Sequence, residues 1–256
     1  PATVTLTGDD TMKKHSFNTI ALTLAGFLLI PLGAQAHGTW LAKIHGEHTA
    51  MYGHHESMTD PYDPAKIVDA RAFKNGQNAA VKVVPHEQRY ATLEADNPGL
   101  LGYVMDNGVW VQTKDGKWHN KPKDAFNASE VTLAQHSYKY AVSYLNDREP
   151  VHALGYDLEI VPAVNPAKLK KGDKLSVQVL FKGKPLPEAT LTSSFFGDGE
   201  KLTTNAEGRA EVSIVRDGFN TLSVGYATEQ SGDKAKADKV SMSSSLSFRT
   251  HKEQKK

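Results

Sequence analysis

Five of the chain's eleven histidines fall between positions 37 and 55, at His37, His45, His48, His54 and His55, and Glu56 follows directly. Imidazole is the commonest metal ligand among side chains. The chain has no cysteine, which excludes thiolate ligation and cysteine catalysis. A metal site must therefore be built from nitrogen and carboxylate donors. The residues before His37 add a further donor. Lys13 and Lys14 precede an apolar run from Ile20 to Leu32, interrupted by Pro31, and Gly33-Ala34-Gln35-Ala36 supplies an Ala-x-Ala motif. These features predict a secretory signal peptide cut after Ala36, with Met12 as its start and residues 1–11 as an upstream extension. The apolar run is shorter than the ~20 residues a spanning helix needs. Cleavage would leave His37 at the N-terminus, offering an α-amine beside its imidazole.

These donors meet only if local structure brings them together. The pattern predicts two strands, His37–His45 and His48–Glu56, joined by Gly46-Glu47 in a type II′ turn with glycine first. In that register Trp40 faces Gly53, Ala42 faces Met51 and Ile44 faces Thr49, giving one mostly apolar side. The other side sets His37 opposite Glu56, Thr39 opposite His54 and His45 opposite His48. Directly opposed side chains lie about 5 Å apart at Cβ and diagonal ones about 7–8 Å. His37, His54 and Glu56 are thereby gathered beside the free amine, with His55 turned to the core side. His45 and His48 form a separate pair at the turn, roughly 25 Å from His37 at about 3.3 Å per residue. Two imidazoles, an amine and a carboxylate suit a divalent transition metal such as nickel, cobalt, copper or zinc. Binding would tighten with rising pH, because the nitrogen ligands must shed protons.

The remaining histidines are weaker candidates. His119 sits in a basic loop, His136 reads as a packed residue beside Tyr138 and Tyr140, His86 and His152 are isolated, and His251 lies in the tail. No nucleophile elbow, Walker loop, His-Glu-x-x-His helix or dinucleotide fingerprint is present, so the sequence makes no case for an enzyme. The formal net charge is +1, and loss of the first 36 residues leaves it unchanged. That balance gives no reason to expect nucleic acid or an anionic membrane as a partner.

The architecture that must carry this hairpin reads as all-β. Short strand-like runs alternate with turn residues from Arg89 onward, and Asp106-Asn107-Gly108 between Leu101–Met105 and Val109–Thr113 predicts a hairpin turn. Ser129–Leu145 is compatible with a strand or a helix. Two prolines near Val161–Pro166 suggest a boundary between an N-terminal β-rich domain, 37–161, and a C-terminal β-sandwich, 167–250, followed by a tail, 251–256. In the second half, Leu175–Phe181, Thr190–Phe195, Ala210–Val215, Thr221–Tyr226 and Ser243–Phe248 are strand-like. An exported chain without disulfides must be held by its buried cores alone.

Three stretches resemble a family of exported bacterial proteins with a domain of unknown function, described as periplasmic components of cobalt or nickel ABC-type uptake systems. They are His37-Gly38-Thr39-Trp40-Leu41 with Gly53-His54-His55-Glu56 and Tyr62-Asp63-Pro64; Leu158–Pro162 through Asn165-Pro166 and Leu169–Asp173; and Val179–Leu186 with Thr203–Arg209 and Asp217-Gly218. The second and third also resemble the carboxypeptidase-regulatory or transthyretin-like sandwich. The likeness implies two Ig-like or transthyretin-like sandwiches and a periplasmic protein that captures nickel or cobalt for a membrane importer. It carries over His37 and His54 as ligands, with Glu56 added by the hairpin argument. Two other functions fit a sandwich beginning with histidine. One is a copper-dependent polysaccharide monooxygenase using a histidine brace, and the other is a cell-envelope interaction module that binds no metal.

Overall fold

The protein is described by a computed structural model covering residues 37–194, 199–230 and 232–250. The expected signal peptide, its cleavage site and the tail lie outside the described residues, as does the end of the strand expected at 190–195. In chain order the strands are β1 (Gly38–Ile44), β2 (Glu47–Gly53), β3 (Ile67–Lys74), β4 (Gln77–Ala79), β5 (Val81–His86), β6 (Tyr90–Ala95), β7 (Leu100–Thr113), β8 (Trp118–His119) and β9 (Val131–Tyr144). The second half adds β10 (Leu158–Pro162), β11 (Lys174–Phe181), β12 (Lys184–Pro185), β13 (Thr190–Thr192), β14 (Lys201–Thr203), β15 (Arg209–Ser213), β16 (Gly218–Glu229) and β17 (Lys239–Thr250). The chain is all-β, and none of its described helical turns is long and apolar enough to cross a membrane.

Three sheets result. A nine-stranded sheet runs β14-β13-β16-β17-β9-β7-β3-β4, with β8 at one end of β7; a four-stranded sheet runs β1-β2-β6-β5; and another joins β10, β11, β12 and β15. Successive residues of a strand face opposite sides, and β7 shows where the two smaller sheets lie. Leu101, Tyr103 and Met105 pack with Leu41, Ala50, Tyr52 and Leu93 from the first small sheet. Leu100 and Val104 pack with Leu158, Ile160, Val177 and Val179 from the other. The large sheet is thus the shared middle layer of two sandwiches. Burial on both faces explains why Leu100–Met105 are buried without a break, in place of the alternation a half-exposed strand would show.

The large sheet also joins the two halves expected to meet near Val161–Pro166. β17 lies parallel to β9, from Lys239 opposite Gln135 to Phe248 opposite Tyr144, and residues from His37 onward form one compact unit. Ser129–Leu145, readable as either element, holds β9, because Tyr140, Val142 and Tyr144 serve one core while Ala141 serves the other. The hairpin expected at Asp106-Asn107-Gly108 does not form. β7 continues through it against β9, passing from Asp106 opposite Tyr138 to Gly108 opposite Ser137 with Asn107 as the extra residue. Gly108 adopts a φ of +79°, and Asp106 Oδ1 accepts its N–H at 2.9 Å. The turn-forming residues make a bulge because a long partner strand holds both flanks in register.

Candidate metal centre

The first hairpin forms one residue away from the expected turn. His45 and Gly46 occupy the corner with φ of +48° and +89°, the pair of positive values that a type I′ turn requires. Pairing accordingly runs Thr39 to Tyr52, Trp40 to Met51, Ala42 to Thr49 and Ile44 to Glu47. Every partner differs by two residues from the expected register. An even shift preserves the faces, whereas an odd one would have inverted them. His37 and His54 therefore stay on one face and come closer. The last pair is Gly38 with Gly53, and just beyond it the two imidazole rings lie 4.3 Å apart between centroids. The face expected to be polar is buried further along, where Thr39, Leu41, Ala50 and Tyr52 are covered.

After Gly53 the chain makes a short reversal closed by a bridge between His55 and Met58. Two groups lock its return. Thr59 Oγ1 accepts from Tyr52 N at 3.0 Å and donates to Tyr52 O at 3.2 Å, and Asp60 N donates to the same carbonyl at 2.7 Å. Trp40 Nε1 holds the loop from the other side by donating to Glu56 O at 3.1 Å. This route brings Asp60 back against Gly53. Gly53 has a φ of +145°, and a Cβ built there would lie 2.9 Å from Asp60 Oδ2. Asp60 Oδ2 then lies 3.0 Å from His37 Nε2.

Donor atoms of His37, His54 and Asp60 all fall within 4.8 Å of one another. Ligand bonds of about 2.0–2.2 Å place neighbouring donors roughly 3 Å apart around an ion, which the His37–Asp60 pair already meets. With side-chain exposures of 37% and 47% for His37 and Asp60, an ion can enter from solvent. Among the described residues this is the one group of three such side chains close enough to share an ion. Glu56, expected beside His37, lies elsewhere, with Oε1 3.7 Å from Arg249 Nη2. The reversal at 55–58 carries its side chain away, and the carboxylate at the histidines comes from Asp60. The only trace of Asp60's role in the sequence is its place six residues after His54, a spacing no simple motif flags.

The surroundings shape the chemistry of His37. Its ring stacks on Tyr52 at 4.6 Å with 13° between planes. Burial lowers its pKa from the usual 6.5, His54 and Lys139 lower it further, and Asp60 opposes them. Burial thus favours the uncharged ring. The 3.0 Å contact is then an Nε2–H donating to Asp60, and an ion taken at that nitrogen replaces the proton. Beneath the pair, Lys139 of β9 donates from Nζ to His37 O at 2.8 Å.

The other histidines are occupied elsewhere. His45 forms the turn, and His48 lies opposite Lys43. His136 Nε2 is 2.7 Å from Asp106 Oδ1, with its ring stacked on Tyr138 at 4.5 Å. His119 Nε2 meets Thr113 Oγ1 at 3.2 Å, and His86 Nε2 meets Thr92 Oγ1 at 2.9 Å.

Fold and site together define an all-β protein of stacked sandwiches with an accessible His-His-Asp group at the start of its first hairpin. The chain belongs to the DUF4198 family, a domain of unknown function, which it matches over residues 34–228. That span contains the whole group and Lys139. No curated protein matches the chain, and no solved structure does.

Proposed function

We propose that this protein is a periplasmic carrier that captures a divalent transition metal, nickel or cobalt by preference, and yields it to a membrane importer without transforming it. The observation that carries this reading is the convergence of His37, His54 and Asp60 on an exposed rim. Cleavage after Ala36 would add the α-amine of His37 beside the group as a further nitrogen donor. Nitrogen and carboxylate donors of this kind match nickel, cobalt, copper and zinc. An ion held at a rim is open to a receiving protein. The metal is cargo here, and no side chain is assigned a catalytic role.

The test is calorimetric titration of protein beginning at His37 with nickel, cobalt, zinc and copper, beside a sample carrying one extra residue before His37. One-to-one binding that weakens at least about tenfold in His54→Ala and Asp60→Asn is the expected result. Loss of binding in the extended sample would place the amine among the ligands. Equal binding by both samples would leave the site to the side chains alone. Absence of binding by either would sink the carrier reading and favour an envelope module. Copper will bind tightly whatever the cargo is, so preference must be read from nickel–cobalt–zinc competition.

A further inference from the structure

Lys139 is the one buried cation among the described residues. It sits in the middle of β9 and is only 5% exposed. A buried ammonium is ordinarily paired with a carboxylate, because an unpaired one loses its hydration without return. Among the described residues, Lys139 has no acidic partner at ion-pair distance. Its Nζ donates to His37 O at 2.8 Å and reaches Ser243 Oγ at 3.5 Å. The other charge acting on it is a second cation, Lys66, whose own Nζ is held at Asn107 Oδ1 at 3.2 Å. Burial, reinforced by Lys66, lowers the pKa of Lys139 to about 8.

A hydrogen bond to the His37 carbonyl could have come from a neutral donor. Serine does this job nearby, where Ser245 Oγ donates to Thr39 O. An ammonium in that position does something a hydroxyl cannot. It sets a fixed positive charge under a group of ligands suited to a cation, shielded from screening by solvent. We propose that Lys139 is a positioning residue with an opposing electrostatic role. It anchors the N-terminal residue through its carbonyl, and its charge weakens the site's hold on a divalent ion so that the cargo can be released. The inference rests on the carrier reading, and it adds the means by which affinity is kept moderate.

The roles separate by substitution. Lys139→Gln keeps a neutral donor for the carbonyl and removes the charge, while Lys139→Arg keeps the charge. Nickel and zinc titrations of protein beginning at His37 should show Lys139→Gln binding more tightly by on the order of tenfold or more. Lys139→Arg should stay within about threefold of the parent, and the gap should persist at ~0.5 M salt because a buried charge is poorly screened. Lys139→Met, which has no donor, keeps the test open if the glutamine variant fails to fold. It should also bind more tightly, with faster dissociation of ion from the parent than from the variant. Equal or weaker binding by both neutral variants, with the parent binding normally, would overturn the role of Lys139 and leave the carrier reading intact. No binding by the parent or any variant would overturn both.

Discussion

Asp60 reaches the histidines because residue 53 has no side chain. Alanine at Gly53 would have to adopt a φ of +145° and place its Cβ 2.9 Å from the Asp60 carboxylate and 3.4 Å from the Asp60 backbone nitrogen. The carboxylate can swing away more readily than the backbone, so the ligand moves first. Gly53→Ala should destabilise the fold by about 1–3 kcal/mol and weaken metal binding. Thermal unfolding and a parallel metal titration would read both, and a variant losing stability with unchanged metal affinity would refute this account of Asp60. His37 carries a prediction in pH. Burial, followed by His54, holds its folded pKa below 6.5, so the unfolded chain takes up this proton first as pH falls. The related stability is fully present above about pH 6.5 and is lost as pH falls toward the lower folded value. His48 is shifted the same way by burial and then Lys43. Urea unfolding of metal-free protein at pH 7, 6 and 5.5 should show this decline, with His37→Gln and His48→Gln each flattening part of it.

One phenol links both strands of the hairpin β1–β2 to the middle of the large sheet. Tyr103 of β7 is fully buried, and its hydroxyl contacts Met51 O at 2.6 Å and Trp40 O at 3.2 Å. Tyr103→Phe would strip both carbonyls of that donor and should cost about 1–3 kcal/mol, with earlier hydrogen exchange in β1 and β2 than in β9. Uniform loss of protection would show that the hairpin does not open separately. The hairpin also shows what was legible in the sequence. Alternation fixed which residues share a face, and an even shift left that result intact. The corner was not legible, because placing His45 at a φ of +48° departs from the preference for asparagine, aspartate or glycine at the first position of a type I′ turn. At Asp106–Gly108 the local turn signal was genuine but was outweighed by pairing to a distant strand. Glu56 and Asp60 exchange places for the same reason. The path after Gly53 is set by Thr59 and Trp40, contacts made only once the hairpin is folded.

On the scale of the whole molecule, the expected domain boundary falls between β10 and β11, two strands paired in one sheet. β17 completes the large sheet beside β9, and Phe248 and Leu246 fill the core under β10 and β11 while Ser245 reaches Thr39 on β1. A fragment covering 37–161 would expose the edge of β9 along with half of a core. It should remain unfolded or aggregate, and recovery of native-like spectra from that fragment alone would show the halves to be independent. Pairing of this kind also orders events in time. Contacts between residues far apart in sequence form slowly because long loops must close first. The seat of the first hairpin includes a residue 206 positions further along the chain. A nascent chain can present its histidines from the beginning, but Thr39 gains its partner on β17 only when the final strand arrives, so a completed seat for this hairpin reports that the whole protein has been made and folded.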